Sequence, residues 1–170
     1  MSRLVRVLMA SGLLLAIGAC GSPTTPTAAA PSSTPSVSAP ASPTATPSST
    51  PPSLVVADSR YGKILIDAGG RTLYLFTADR EADSTCYNAC ATTWPPLLVS
   101  ASPTAGPGLT QSLVAVGVRT DNTRQIVYNG HPLYTYVGDR TPGEIKCQAA
   151  VEFGGGWFVV DVQGNQILTP

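Results

Sequence analysis

Residues 70–80 read GRTLYLFTADR, and residues 130–140 repeat that stretch in related form as GHPLYTYVGDR. The two copies share the pattern Gly-x-x-Leu-Tyr-x-aromatic-x-x-Asp-Arg at an offset of 60 residues. Each copy follows a predicted strand and a tight turn. Two copies indicate a duplicated β unit, since a solenoid would need three or more repeats.

The segments around both copies are predicted to form antiparallel hairpins. Residues 63–67 and 71–76 are rich in apolar and aromatic residues and flank a glycine-rich turn. Residues 124–128 and 131–136 flank Asn129-Gly130, which is the strongest two-residue hairpin signal. Pairing of the second hairpin with residues 113–118 would extend it to three strands.

Helix signals are sparse by comparison. Asp83-Ser84-Thr85 can cap a short helix near residues 84–91, and Trp94-Pro95-Pro96 would end it. A last strand at 157–162 is expected to turn at Gln163-Gly164-Asn165. The sequence therefore predicts a mostly β domain of antiparallel hairpins, built from two related β units with one short helix.

The amino-terminal 19 residues have the layout of a secretory signal peptide. Arg3 and Arg6 precede a mostly apolar run at 7–17, which is too short to span a bilayer permanently. Ile17-Gly18-Ala19-Cys20 resembles a bacterial lipobox, and that resemblance implies a lipid-modified Cys20 as the first mature residue. Because two acyl chains hold a protein on a membrane, we expect a lipid anchor at the extracytoplasmic face of the cell membrane. The alternative is an ordinary secreted protein with an incidental cysteine at the cleavage site.

Residues 20–53 are expected to be a disordered linker behind that anchor. Pro, Ser, Thr and Ala make up nearly all of this segment, and no charged residue occurs between Arg6 and Asp58. Such a segment buries too little apolar surface to fold alone, and dense proline favours extended conformations. It would carry the domain at 54–170 away from the membrane, toward a cell-wall component or another envelope protein.

The domain at 54–170 carries eight basic and ten acidic residues, a formal net charge of −2, with no basic cluster. Nucleic-acid binding through phosphate neutralisation has no support in this charge pattern. The two aromatic residues of each motif copy are two apart on a strand and therefore share a face. Core packing is the simpler interpretation, and a pocket shared by both copies that binds a ligand is the alternative. The motif residues are Tyr74, Phe76 and Asp79 in the first copy and Tyr134, Tyr136 and Asp139 in the second.

These paired motifs resemble those of a family of bacterial lipoproteins with Tyr-x-(Phe/Trp/Tyr)-x-x-Asp signatures, a secreted repeat of unknown function. The resemblance extends over most of residues 61–162 and includes Cys86-x-x-x-Cys90, Trp94-Pro95-Pro96-Leu97 and Gly154-Gly155-Gly156-Trp157. Cys147 departs from the family's pattern. The family implies no established activity.

Three cysteines remain in the domain, and thiols oxidise outside the cytosol, so at least one disulfide is expected. Cys86 and Cys90 can approach to disulfide distance if Cys90 ends a turn. Cys147 would then be reduced, paired between chains, or exchanging with the other two. A zinc site would need these cysteines and His131, the only histidine, but their spacing fits no standard pattern. We therefore expect no metal and no cofactor.

Signatures of catalysis are missing from the sequence. It contains no Gly-x-Ser-x-Gly, no phosphate-binding glycine loop and no His-Glu-x-x-His. The favoured interpretation is a non-catalytic cell-envelope lipoprotein with a binding or structural role. An extracytoplasmic redox or electron-transfer accessory protein, using the cysteines and aromatic residues, is the first alternative. A hydrolase of wall polymers is the second.

Overall fold

The computed structural model describes residues 53–169, which contain eight short strands, one α-helix and one 3₁₀ turn. The predicted signal peptide, Cys20 and nearly all of the predicted linker lie outside these residues. The strands are β1 (Leu54–Ser59), β2 (Gly62–Asp67), β3 (Tyr74–Phe76), β4 (Val114–Val118), β5 (Arg124–Tyr128), β6 (His131–Pro132), β7 (Ala150–Glu152) and β8 (Gly155–Val159). The helix α1 spans Ala89–Thr93, and the 3₁₀ turn spans Gln111–Leu113.

These strands form three small antiparallel sheets, with strand orders β1-β2, β3-β8-β7 and β4-β5-β6. The predicted mostly β fold with one short helix is therefore confirmed. The pair β4–β5 follows the pair β1–β2 at the 60-residue offset of the repeat, so the duplication includes the strands before each motif copy. Among residues 53–169, no helix has the length and apolar character needed to cross a membrane.

The Asn129-Gly130 hairpin forms as predicted. Both turn residues have positive φ, 49° at Asn129 and 81° at Gly130, which is the backbone that matches the strand twist in a two-residue hairpin. β5 pairs with β6 across this turn and with β4 on its other side. Pro132 lies on the edge strand of this sheet, where its missing N–H is tolerated.

The first predicted hairpin forms only in part. The turn after Asp67 closes with a hydrogen bond from Gly70 N–H to the Asp67 carbonyl, and Ile66 faces Thr72. Leu73 N–H still donates to the Leu65 carbonyl at 3.1 Å, but from Tyr74 onward the chain leaves β2, and β3 pairs with β8 instead. The predicted hairpin between 63–67 and 71–76 is therefore confirmed at the turn and through Leu73, but wrong for Tyr74–Phe76. Non-local pairing with β8 buries all three residues of β3, which local hairpin pairing would not require.

The short helix begins at Ala89, five residues later than the start of the predicted segment. Asn88 has a positive φ of 52°, outside the α-helical region, so the helix cannot extend backward through it. Ser84 and Thr85 are used in tertiary hydrogen bonds and not as caps. The helix ends at Thr93, just before Trp94-Pro95-Pro96, as predicted.

Buried side chains form two clusters. An aliphatic cluster is built on Leu54, Leu65, Leu73, Leu75, Ile126, Tyr128, Leu133 and Val160. The aromatic cluster contains the tyrosines and aromatic residues of both motif copies, both tryptophans, and all three cysteines of the domain: Tyr74, Phe76, Tyr134, Tyr136, Trp94, Trp157, Cys86, Cys90 and Cys147, with Ile64 and Val159. The repeated motif therefore lies at the centre of the domain.

Candidate functional site

The two motif tyrosines lie side by side where the repeats meet. Tyr74 N–H donates to the Tyr134 carbonyl at 2.9 Å, and Tyr134 N–H donates back to the Tyr74 carbonyl at 2.9 Å. This reciprocal bridge is antiparallel, and both side chains are fully buried. The contact relates the two repeats by an approximate two-fold axis that passes between the two tyrosines.

Each tyrosine hydroxyl donates to the aspartate of the other copy. The Tyr74 hydroxyl lies 2.7 Å from Oδ2 of Asp139, and the Tyr134 hydroxyl lies 2.7 Å from Oδ2 of Asp79. The motif is therefore completed between repeats and not within one. All four side chains meet at the repeat interface, an arrangement that the spacing within a single copy does not specify.

The second oxygen of each aspartate holds the loop that follows its motif. Oδ1 of Asp79 accepts from the backbone N–H of Thr85 at 2.7 Å and from its hydroxyl at 3.0 Å. Oδ1 of Asp139 accepts from the backbone N–H of Lys146 at 3.0 Å. Because Thr85 precedes Cys86 and Lys146 precedes Cys147, these two cysteines occupy matching places in the two repeats. The position of Cys147 is thus explained by the duplication.

Burial dominates the ionisation of these groups. Desolvation raises the pKa of the Asp79 and Asp139 carboxyl groups, against the lowering effect of the hydrogen bonds that each carboxylate accepts. Burial, reinforced by the neighbouring aspartates, also raises the pKa of the Tyr74 and Tyr134 hydroxyl groups. Both hydroxyls therefore stay protonated at neutral pH and act as hydrogen-bond donors, which is unlike the role of a general base or a nucleophile.

Four aromatic rings are in successive contact through the core between the two motif copies, three of them stacked and Tyr136 tilted by 38° against Trp94. Phe76 stacks on Trp157 at 4.1 Å between ring centroids, Trp157 stacks on Trp94 at 4.0 Å, and Tyr136 lies 4.7 Å from Trp94. The motif tyrosines pack edge-on against the same indoles, each at 5.2 Å. The second aromatic residue of each motif thus forms one end of the stack. This is the core packing expected for aromatic residues on one face of a strand.

The predicted disulfide links Cys86 and Cys90, with 5.2 Å between their Cα atoms. Cys86 Sγ lies 4.0 Å from the Trp94 backbone carbonyl oxygen, and both cysteines belong to the aromatic cluster. Cys147 is buried in the same cluster, 2 % exposed. Within residues 53–169, no group of three or more His, Cys, Asp and Glu side chains has a geometry that suits a metal ion.

A buried arginine, which the sequence analysis missed, supports one side of the site. Arg119 is 4 % exposed, and its Nη1 donates to Ser84 Oγ at 2.6 Å and to Gln125 Oε1 at 2.7 Å. Its Nη2 donates to the Cys86 carbonyl at 2.7 Å. Ser84 Oγ lies 2.7 Å from the Tyr134 hydroxyl, so the network reaches the Tyr134–Asp79 pair.

The Arg119 side chain is not fully satisfied by this network. Its Nε makes no hydrogen bond, and the nearest carboxylate oxygen, Oδ2 of Asp121, is 3.7 Å away. The guanidinium also lies over the Tyr87 ring at 4.3 Å from the ring centroid. The position of Arg119 between a strand and a polar turn is typical of a surface residue, so no sequence signal indicated that it is buried.

Comparison with known proteins gives one family. A family model described as a secreted repeat of unknown function matches residues 55–98 and, a second time, residues 115–161. The two matches contain one motif copy each and together span more than half of the chain. No curated protein and no solved structure matches the chain.

Proposed function

Since the chain belongs to this family of secreted repeats, we propose that it is a membrane-anchored lipoprotein of the cell envelope whose β domain has a non-catalytic binding or structural role at the cell surface. The anchor is Cys20, and residues 20–53 separate the domain from the membrane. The domain is presented to a cell-wall component or to another envelope protein.

The crossed tyrosine–aspartate pairs support this role. The reactive side chains of the motif are taken up in bonds between the repeats: both tyrosines are fully buried, and both aspartates already accept hydrogen bonds on both oxygens. A catalytic carboxylate must reach a substrate proton, whereas these carboxylates hold the fold together. The motif therefore makes a rigid module from two repeats, which suits a domain that is displayed on a linker.

The anchor is tested by fractionating cells that express the full-length chain or its Cys20→Ala variant. We expect the unchanged chain in the detergent-extractable membrane fraction. The variant should stay as uncleaved precursor or be released, because it lacks the acyl-acceptor sulfur. Cys147→Ala is the matched control, since it also removes one cysteine but leaves the lipobox intact. A Cys20→Ala protein that loses its signal peptide and still fractionates with membranes would refute the lipoprotein assignment.

A redox accessory role is the second candidate, and the indole stack beside the disulfide favours it. The rings from Phe76 to Tyr136 are in successive contact, and the Cys86–Cys90 bridge lies in the same buried cluster. This candidate predicts that glutathione buffers reduce and reoxidise the bridge at a potential near that of exchange catalysts, roughly −120 to −270 mV. A bridge that forms once and resists reduction in the folded chain would eliminate this role and leave the structural one.

A further inference from the structure

An open depression of about 410 Å³ lies where the first motif copy meets the Gly130–His131 turn and the last turn of the chain. Leu75 and Phe76 lie at its base but are only 2 % and 3 % exposed, and its polar lining includes Asp79, His131, Asn165 and Gln166. Sites for small ligands typically occupy about 300–1,000 Å³ and combine apolar walls with a few polar groups. The depression has the size of such a site and several of its polar groups.

The turn at Gly70, which corresponds to the Gly130 turn beside the depression, is covered. A methyl group added at Gly70 would lie 2.9 Å from Cβ of Pro142, and Gly143 N–H donates to the Gly70 carbonyl at 2.9 Å. A methyl group added at Gly130, the counterpart of Gly70, would have no atom within 4 Å. The two turns therefore differ at their glycines: Gly70 is packed against Pro142, whereas Gly130 has open space beside it.

Unused hydrogen-bonding groups line the open copy. The imidazole of His131 and the side-chain amide of Gln166 make no hydrogen bond to residues 53–169. Asn165 Nδ2 reaches Asp161 at a long 3.3 Å. An imidazole and an amide each offer both donors and acceptors, whereas a carboxylate such as Asp79 accepts only. The lining can thus serve a ligand whose groups both donate and accept.

We propose that this depression binds a neutral saccharide unit of the surrounding envelope glycans. Sugar hydroxyls both donate and accept hydrogen bonds, which matches the side chains of His131, Asn165 and Gln166. The lining contains no Lys or Arg and does contain the Asp79 carboxylate, which disfavours phosphate and other anions. The inference rests on the proposed function, because such glycans are available only to an extracytoplasmic domain.

The single histidine gives a direct assay. In the full-length Cys20→Ala chain, the imidazole resonances of His131 can be followed by NMR during titration with N,N′-diacetylchitobiose, cellobiose or maltose. We expect at least one of these sugars to shift the His131 resonances saturably. Gln166→Ala should weaken that binding about tenfold, as for the loss of a ligand hydrogen bond. Gln163→Ala is the matched control, because it removes an exposed amide outside the depression and should bind as the parent chain does.

Two results would overturn the saccharide site. One is a His131 resonance that none of the three sugars moves, or that moves equally in the two glutamine variants. The other is a saturable shift with the dipeptide D-Ala-D-Ala and none with the sugars, which would assign the depression to a peptide. Either result leaves membrane fractionation unchanged, so failure of this inference is distinguishable from failure of the lipid anchor.

Discussion

Removing the hydroxyl of Tyr74 tests whether the crossed pairs hold the repeats together. In Tyr74→Phe the ring still fills its place against Trp94, so no cavity forms, but Oδ2 of Asp139 loses its donor. Asp139 is only 5 % exposed, so water cannot easily replace that donor. Losing a hydrogen bond to a buried charged group costs about 1.5–3 kcal/mol. We expect a loss near the upper end of that range, from a total of about 5–15 kcal/mol for a domain of this size.

Tyr134→Phe and Tyr128→Phe serve as comparisons for the loss of unfolding free energy in Tyr74→Phe. Tyr134→Phe removes the donor to Asp79, which is partly exposed and keeps both hydrogen bonds from Thr85, and it also removes the contact with Ser84 Oγ. We expect a loss of about 1–3 kcal/mol. Tyr128 is equally buried, but its hydroxyl bonds only to the backbone of Thr110 and Val162. Tyr128→Phe should therefore cost about 1 kcal/mol, as for a neutral pair.

Urea unfolding of the full-length chain, followed by tryptophan fluorescence, gives all three free energies. The reasoning would be refuted if Tyr74→Phe cost no more than Tyr128→Phe, since the aspartate would then add nothing to an ordinary buried hydroxyl. A change in the urea dependence of the unfolding free energy would signal altered compactness, and only midpoint shifts at a constant slope count.

The glycine pair and the pH dependence supply two further predictions. Gly70→Ala should destabilise the domain by clearly more than Gly130→Ala. Both positions have positive φ and share a backbone penalty of about 1–2 kcal/mol, but the methyl group added at position 70 would also clash with Pro142. Equal losses of melting temperature would show that Pro142 does not cover Gly70. Burial raises the folded-state pKa of Asp139 above its unfolded value of about 3.9. The protonated carboxyl group therefore stabilises the folded state most below about pH 3.9, and this contribution is lost as the pH rises through the folded-state pKa. Asp139→Asn should therefore lose less stability than the parent chain between pH 4 and neutrality, and urea midpoints that change in parallel for both proteins would contradict this.

The features of the fold that could be predicted are those fixed by local chemistry. Asn129-Gly130 specifies its own turn, because both residues tolerate positive φ, and the strands on either side then pair in one register. Prolines after Trp94 end the helix for an equally local reason. The predicted start near Ser84 failed because the Ser84 and Thr85 side chains bond to Tyr134 and Asp79 and do not cap, so the helix begins only after Asn88.

Non-local features could be predicted only in part. Alternation places Tyr74 and Phe76 on one face, but nothing in three residues identifies β8 as the partner of β3. The repeat predicts that Tyr74 and Tyr134 are equivalent, yet equivalence alone does not show that each binds the aspartate of the other copy. Arg119 was missed because burial of an arginine depends on the acceptors around it, which come from Ser84, Cys86 and Gln125.

The reciprocal bonds at the repeat interface resemble those of an isologous dimer contained in one chain. Each repeat donates a tyrosine hydroxyl to the aspartate of the other repeat. A single repeat would have an aspartate without its tyrosine, so it could satisfy its own motif only by associating with a second copy. Covalent fusion removes the need for identical halves, because a change in one half no longer occurs in both. The two halves have accordingly diverged, with a buried arginine behind one tyrosine–aspartate pair and a proline over the turn of the other. Asymmetry of this kind lets one half keep the fold closed while the other exposes a surface to its surroundings.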